Sequence, residues 1–151
     1  LHTAYRRQRQ MCIRDRLCFD CSLPTDFLVY GLDEEFLRSH KFLNQMDLDS
    51  FLNILPDDAL IYQAHPFRNN IHIIPPNKLF GIEAHNGNPR HDSRNDIAHA
   101  WADKFNLHKI SGSDFHQTED VGRGGLILNR TVKNNKELVD ALRADDYQLI
   151  Q

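Results

Sequence analysis

The chain lacks an excess of positive charge. Its 18 lysines and arginines are outnumbered by 21 aspartates and glutamates, which gives a formal net charge of −3 at pH 7. Proteins that bind nucleic acid through charge need a basic face that neutralises phosphates. The composition therefore disfavours broad nucleic-acid binding and leaves room only for a local basic cluster.

Long hydrophobic runs are also absent. The longest, such as "FLVYGL" and "GGLIL", are far shorter than the roughly 20 residues that cross a bilayer. The start of the sequence does not have the layout of a signal peptide. With 151 residues, 40% hydrophobic and 26% charged, the composition predicts one globular domain, cytoplasmic and without a membrane partner.

Cysteine is scarce, and its distribution excludes a disulfide framework for most of the chain. Cys12, Cys18 and Cys21 all lie within the first 21 residues. Cys18 and Cys21 form one CxxC, but a zinc site of this kind needs a second pair of ligands, and a redox site needs a following helix. We interpret the three as incidental reduced thiols, with a metal or redox role as the alternative.

The first sixteen residues, "LHTAYRRQRQMCIRDR", differ from the rest of the chain. They are rich in arginine and show no helical or strand periodicity. One interpretation is a basic arm, and another is a non-native string that resembles translated sequencing adaptor. We favour the second and assign residues 1–18 to a non-native or disordered segment and residues 19–151 to the domain.

From about residue 24 onward, apolar strand-like runs alternate with helical patterns. This alternation predicts an α/β fold with a largely parallel sheet. In "SRNDIAHAWADKFN", Ile97, Trp101 and Phe105 recur every fourth residue, which predicts a stripe that faces the core. Ser93 and Asp96 approximate a capping box at the start of that helix. "RGGLILN" is interpreted as a core strand.

Polar residues follow three of the predicted strands at the point where each strand ends. They are His65 and Arg68 after "LIYQA", Glu83 and Asn86 in and after "LFGIEA", and Asp114 and His116 after "HKISGS". Residues just past the carboxyl ends of parallel strands converge on one face of the fold. The sequence therefore predicts one shared site.

The residue types at this predicted site favour a metal ion. Imidazole and carboxylate together suit zinc, manganese or iron. An Asp-x-His pair on an extended segment places both side chains on the same face, because side chains in a strand alternate with a period of two. Gly112 and Ser113 precede the pair and allow the backbone to approach the site closely. A bound metal can acidify a water molecule and polarise a phosphoryl group.

Several ordered motifs resemble those of a known family. "YQAHPFR", "GIEAHNGN" and "SGSDFH" are similar to the later motifs of the PHP (polymerase and histidinol phosphatase) domain, and the resemblance covers roughly residues 19–151. It implies the C-terminal half of a distorted, TIM-like (β/α)7 barrel. It also implies two or three divalent metals, Mn, Zn or Fe, in the intact site, and hydrolysis of phosphoesters.

The resemblance assigns roles residue by residue. It implies that His65, Asp114 and His116 are metal ligands and that Asp114 and His116 are the catalytic residues. Arg68 falls where a basic side chain could hold the substrate phosphate. Glu83 and Asn86 match a Glu-x-x-Asn segment that would lie behind the ligands and orient them. The expected substrate is a small phosphate ester or a nucleotide, and the oligomeric state is left open.

The sequence also departs from the family pattern. The family's opening HxH motif, a "TDH"-like segment and a following glutamate are not found intact. "LHTAY" could be a remnant in which His2 is the second histidine, although coincidence is simpler. We therefore expect an incomplete site with weak or absent catalysis, and unpaired strand edges that favour aggregation. The alternative is a non-catalytic scaffold or binding module with a degenerate metal site.

Overall fold

A computed structural model describes residues 25–151. The predictions for the arginine-rich segment, His2 and the three cysteines concern residues that lie outside this range. Within residues 25–151, none of the helices combines the length and apolar character that crossing a bilayer requires.

Strands and helices alternate, as the sequence pattern predicts. The strands are β1 (Phe27–Tyr30), β2 (Leu60–Gln63), β3 (Gly81–Asn86), β4 (His108–Gly112), β5 (Gly125–Leu128) and β6 (Tyr147–Ile150). The α-helices are α1 (Glu34–Ser39), α2 (Leu48–Ile54), α3 (Asn95–Phe105) and α4 (Asn135–Arg143), and short 3-10 turns cover Leu43–Gln45, Pro76–Lys78 and Thr118–Asp120.

The strands form two sheets. The larger has the order β1-β2-β3-β4, in which β2, β3 and β4 are parallel and β1 pairs antiparallel with β2. The smaller consists of β5 and β6, which pair antiparallel. The α/β class with a mostly parallel sheet is therefore confirmed. Within residues 25–151 the strands do not close into a barrel.

Alternate residues of the strands in the larger sheet point to opposite faces. Apolar clusters cover both of these faces. Phe27, Val29 and Ile61 pack in one apolar cluster with Phe51 of α2. The opposite face carries a second cluster in which strand residues meet α4; its buried members are Tyr30, Leu60, Tyr62, Ile110, Leu138, Val139 and Leu142. Burial on both faces explains why β2 begins with three consecutive hydrophobic residues, Leu60, Ile61 and Tyr62, instead of an alternating pattern.

Gln63, the last residue of β2, is buried and fixes the segment that follows it. Its Nε2 donates to Thr25 Oγ1 at 3.1 Å and to the carbonyl oxygen of His72 at 2.6 Å. Its Oε1 accepts from the backbone N–H of Ile74 at 3.1 Å. These bonds satisfy a buried amide and hold the loop after β2 against the sheet.

The orientation predicted for α3 is wrong for Ile97 and Phe105, whereas the half-buried Trp101 does pack against the core cluster. Ala98 and Ala102 face β3 at 1% and 0% exposure, whereas Ile97 and Phe105 are 43% and 39% exposed. Small side chains fit where the helix lies close against the strand, so the larger residues are displaced to its flanks. The predicted capping box is also not formed, because Arg94 occupies the N-cap position in a left-handed conformation without a side-chain cap.

The segment "GGLIL" forms a strand, but not a core strand. β5 belongs to the smaller sheet, and its residues are half-buried or exposed, with Ile127 at 54% exposure. Among the described residues the smaller sheet is covered on the side of Leu126 and Leu128, and its other side, with Ile127, is exposed to solvent.

Candidate functional site

The polar residues predicted from the strand ends line one cavity. It has a volume of about 700 Å³ and lies at the carboxyl ends of β2, β3 and β4. Its lining includes six residues predicted for the site, His65, Arg68, Glu83, Asn86, Asp114 and His116. Apolar residues of β1, β5 and α4, such as Phe27, Leu126 and Leu138, form another part of the wall.

His65 is held in an unusual backbone conformation directly beyond β2. Its φ of 30° lies in the left-handed region, which costs about 1–3 kcal/mol for a residue with a side chain and is concentrated at functional sites. Its backbone N–H donates to Glu83 Oε2 at 2.9 Å. The Nε2 atom lies 3.3 Å from Asp26 Oδ2, while Nδ1 is buried without a hydrogen-bond partner among the described residues.

Glu83 is a buried carboxylate in the middle of β3. Its Oε2 accepts from the His65 N–H and from Asn86 Nδ2, both at 2.9 Å. Burial raises the pKa of Glu83 above its ordinary value, although these hydrogen bonds oppose the shift. The pairing register between β3 and β4 shifts just after Glu83. Irregularities of this kind change the direction of nearby side chains and often lie next to active sites.

Gly112, at the end of β4, makes room for the Glu83 carboxylate. A Cβ atom at this position would lie 2.2 Å from Glu83 Oε1. The close backbone approach predicted from the glycine is therefore present, and the group that approaches is a side chain from the neighbouring strand.

Asp114 is paired with Arg68. Asp114 Oδ2 accepts from Arg68 Nη2 at 2.7 Å, and the two side chains are only 6% and 15% exposed. The same Nη2 donates to Asn86 Oδ1 at 3.0 Å and to Ser93 Oγ at 3.2 Å. The guanidinium therefore compensates a nearly buried carboxylate, while its predicted contact with a substrate phosphate stays a prediction.

The geometric reason given for the Asp-x-His pair is wrong. Asp114 has a φ of 44° and is not extended, so the two side chains do not share a face through strand alternation. The Asp114 side chain points inward to Arg68, whereas the His116 side chain is 52% exposed. The two residues remain connected, because His116 Nδ1 lies 2.7 Å from the Asp114 carbonyl oxygen.

The contact between His116 Nδ1 and the Asp114 carbonyl determines which ring nitrogen of His116 carries a lone pair that can bind a metal ion. A carbonyl oxygen only accepts, so Nδ1 must donate and carries the proton. In the neutral ring the lone pair is then on Nε2, the arrangement found in histidine ligands whose other nitrogen is held by a carbonyl or carboxylate.

Sequence reasoning missed Asp26, which precedes β1. Because β1 runs antiparallel to β2, the start of β1 lies beside the carboxyl end of β2, and the Ala64 N–H donates to the Asp26 carbonyl oxygen at 2.9 Å. A search limited to strand carboxyl ends does not find such a residue. The available signal is an acidic residue directly before a buried strand.

The donors in the cavity are chemically suited to a divalent transition metal, because imidazole nitrogen and carboxylate oxygen are ligands that Mn, Zn and Fe accept. The buried Nδ1 of His65, which has no hydrogen-bond partner within residues 25–151, and the oriented ring of His116 are consistent with such a role. Across residues 25–151, no group of three or more His, Cys, Asp or Glu side chains is gathered as a metal site. The ligand assignments of His65, Asp114 and His116 therefore stay predictions.

The C-terminal part of the chain matches a known family model. Residues 92–147 match the PHP-associated (PHP_C) family. This confirms the resemblance to the C-terminal part of PHP proteins. The PHP-associated segment contains Asp114 and His116, together with α3, β4, β5 and α4, whereas His65, Arg68, Glu83 and Asn86 precede it. No curated protein matches the chain.

Proposed function

We propose that the chain is the C-terminal part of a PHP-type, metal-dependent phosphoesterase that acts on a small phosphate ester or a nucleotide. The observation that carries this proposal is the cavity at the ends of three parallel strands, where His65, Asp114 and His116 occur together. The PHP-associated match over residues 92–147 supports it, because two of these residues belong to that segment.

In this proposal His65, Asp114 and His116 supply part of the ligand set for Mn, Zn or Fe. The bound metal would lower the pKa of a water molecule and polarise the phosphoryl oxygens. Glu83 holds the His65 backbone in place, and Asn86 connects Glu83 to Arg68. Because no complete ligand group is formed among residues 25–151, we expect weak turnover from these residues alone.

Arg68 has a double role in the proposal. It neutralises Asp114, which reduces the repulsion between the site and an anionic substrate. Its Nε is buried and makes no hydrogen bond within the described part of the chain. A phosphate that reaches this edge of the guanidinium would gain a charge-assisted hydrogen bond.

We also propose that β2, β3 and β4 correspond to strands in the second half of a (β/α)7 barrel. Their parallel order and the position of the cavity at their carboxyl ends support this assignment. The antiparallel β1 and the separate β5–β6 pair are departures from a regular barrel.

The test is titration of the chelator-treated 151-residue protein with Mn²⁺ or Zn²⁺ by calorimetry. We expect binding that weakens about tenfold or more in His65→Ala and in His116→Ala, because even the partners of ligands contribute that much to metal affinity. His99→Ala is the matched control, since His99 lies on α3 and contacts Gln151 outside the cavity lining.

Activity is measured in parallel on the metal-loaded protein with an aryl phosphate monoester and diester. Release of the aryl alcohol from either ester that disappears in His116→Ala would support the enzyme. A folded protein that binds neither metal would contradict the proposal and favour the alternative, a non-catalytic scaffold with a degenerate site.

A further inference from the structure

Asp120 is a charged residue without any solvent exposure. Its carboxylate receives a bidentate contact from Arg90, with distances of 2.9 Å to Oδ1 and 2.5 Å to Oδ2. Oδ2 also accepts the backbone N–H groups of His116 at 2.9 Å and Gln117 at 2.8 Å. Burying a carboxylate is costly unless it is paired and hydrogen-bonded. The four donors meet this requirement and fix the position of the Asp120 carboxylate.

Arg90 belongs to the loop after β3, and the same loop contacts the segment after β4 a second time. Asn88 Nδ2 lies 3.2 Å from both the carbonyl oxygen and Oδ2 of Asp114. The Arg90 N–H donates to Asn88 Oδ1 at 3.0 Å, which joins the two contacts. One loop therefore holds the neighbouring segment at Asp114 and at Asp120, with His116 between these points.

We call the contacts of Asn88 with Asp114 and of Arg90 with Asp120 the clamp. The clamp acts on the His116 ring through the backbone. The Asp120 carboxylate fixes the His116 N–H, and Asn88 fixes the Asp114 carbonyl group that accepts from His116 Nδ1. If either end is released, the ring loses the geometry that keeps the proton on Nδ1. We propose that Arg90 and Asp120 are positioning residues that hold His116 with its Nε2 lone pair directed to a ligand.

The meaning of this clamp for catalysis depends on the proposed function. Its effect on the tautomer of His116, however, can be measured in protein without metal. Nitrogen-15 NMR of the histidine rings at pH 8, in metal-free protein, reports which nitrogen carries the proton. We expect His116 to be the Nδ1–H tautomer in the wild type. We expect a mixture of tautomers in Arg90→Gln and Asp120→Asn, and return toward a single tautomer in Arg90→Lys, which keeps the charge.

Arg38→Gln is the matched control. Arg38 pairs with Glu34 on the exposed surface of α1, so this variant also removes an arginine–carboxylate pair but leaves His116 untouched. Zn²⁺ titration of the same samples should show about tenfold weaker binding in Arg90→Gln than in wild type or Arg38→Gln, the effect expected when a partner of a ligand is lost.

Two results would overturn the inference. One is a wild-type His116 ring that is not held as the Nδ1–H tautomer. This measurement needs only the wild-type protein, so it does not depend on whether the Asp120 variant folds. The other is a folded Arg90→Gln protein with a lower melting temperature but an unchanged tautomer, which would make the pair merely structural. A correct wild-type tautomer in a protein that binds no metal would contradict the proposed function and leave the clamp supported.

Discussion

The two sheets of this protein differ in how they are covered, although both are built from short apolar strands. β2 is buried along its whole length, and Ile110 of β4 is 1% exposed. In β5, by contrast, Ile127 is 54% exposed and its neighbours are only partly buried. Strand composition is thus similar in both sheets, and the position of the helices decides which one forms a core.

The difference extends to chemistry. In the larger sheet the clusters on both faces are apolar, and the polar groups line a cavity toward the carboxyl ends of the parallel strands, where loops of several strands meet. The smaller sheet is antiparallel and supplies an apolar wall to the cavity through Leu126 and Ile150. Hydroxyl groups join the sheets: Ser111 Oγ donates to the Ile150 carbonyl at 2.5 Å and accepts from the Gly125 N–H at 3.1 Å. Tyr147 Oη of β6 donates to the Lys109 carbonyl of β4 at 2.8 Å.

The same substitution in each sheet should have very different effects. Ile110→Ala removes a side chain from the cluster that includes Leu138 and Leu142, and we expect a loss of about 2–5 kcal/mol in the free energy of unfolding. Ile127→Ala, in the exposed position, should cost less than about 1 kcal/mol. Urea denaturation followed by circular dichroism measures both. Equal losses would show that β5 is as well covered as β4.

A second substitution sharpens the comparison at the polar edge. Gly112→Ala would place a Cβ atom 2.2 Å from Glu83 Oε1, and crowding of this kind costs about 1–3 kcal/mol. Glu83 cannot move freely, since Oε2 is held by the His65 N–H and by Asn86.

A double-mutant cycle isolates that contact. The cost of Gly112→Ala should fall in the Glu83→Ala background, with a coupling above about 0.5 kcal/mol. Additive costs would mean that the alanine is opposed by something other than the Glu83 carboxylate.

A modest effect is expected at α4, whose apolar residues pack against residues of both sheets. Asn134 caps this helix, because its Oδ1 accepts from the Glu137 N–H at 2.9 Å. Asn134→Ala should lower the free energy of unfolding by about 1 kcal/mol. Asn134→Ser keeps a side-chain acceptor, and unlike Asp it puts no second carboxylate beside Glu137, whose Oε1 accepts from Asn134 Nδ2 at 3.0 Å; its stability should stay closer to that of wild type. A similar loss in both variants would argue against the cap.

The order of strands and helices could be predicted because the apolar periodicity along the chain is strong. The orientation of α3 could not, since Ala98 and Ala102 are buried only as a result of how closely the helix approaches β3. Two adjacent faces of this helix carry apolar residues, so the sequence pattern does not show which of them packs against the sheet. The larger apolar residues, Ile97 and Phe105, are on the more exposed one.

At the site, the rule about strand carboxyl ends selected His65 and Asp114, which both line one cavity, while their roles there stay predictions. Their partners were not predictable from spacing, because the contact between Arg68 and Asp114 joins residues 46 positions apart. The left-handed backbone of Asp114 also removed the basis for the expected strand alternation. Asp26 was missed because it reaches the site from an antiparallel strand.

The parallel pairing of β2, β3 and β4 has a consequence for the kinetics of folding. A parallel pair needs a crossover connection, so each pairing must close a long loop before its contacts form. Helices such as α3 form within about a microsecond, whereas non-local pairings are slow. We therefore expect the helices to form early, and the polar edge, which needs all three strands in register, to be assembled last.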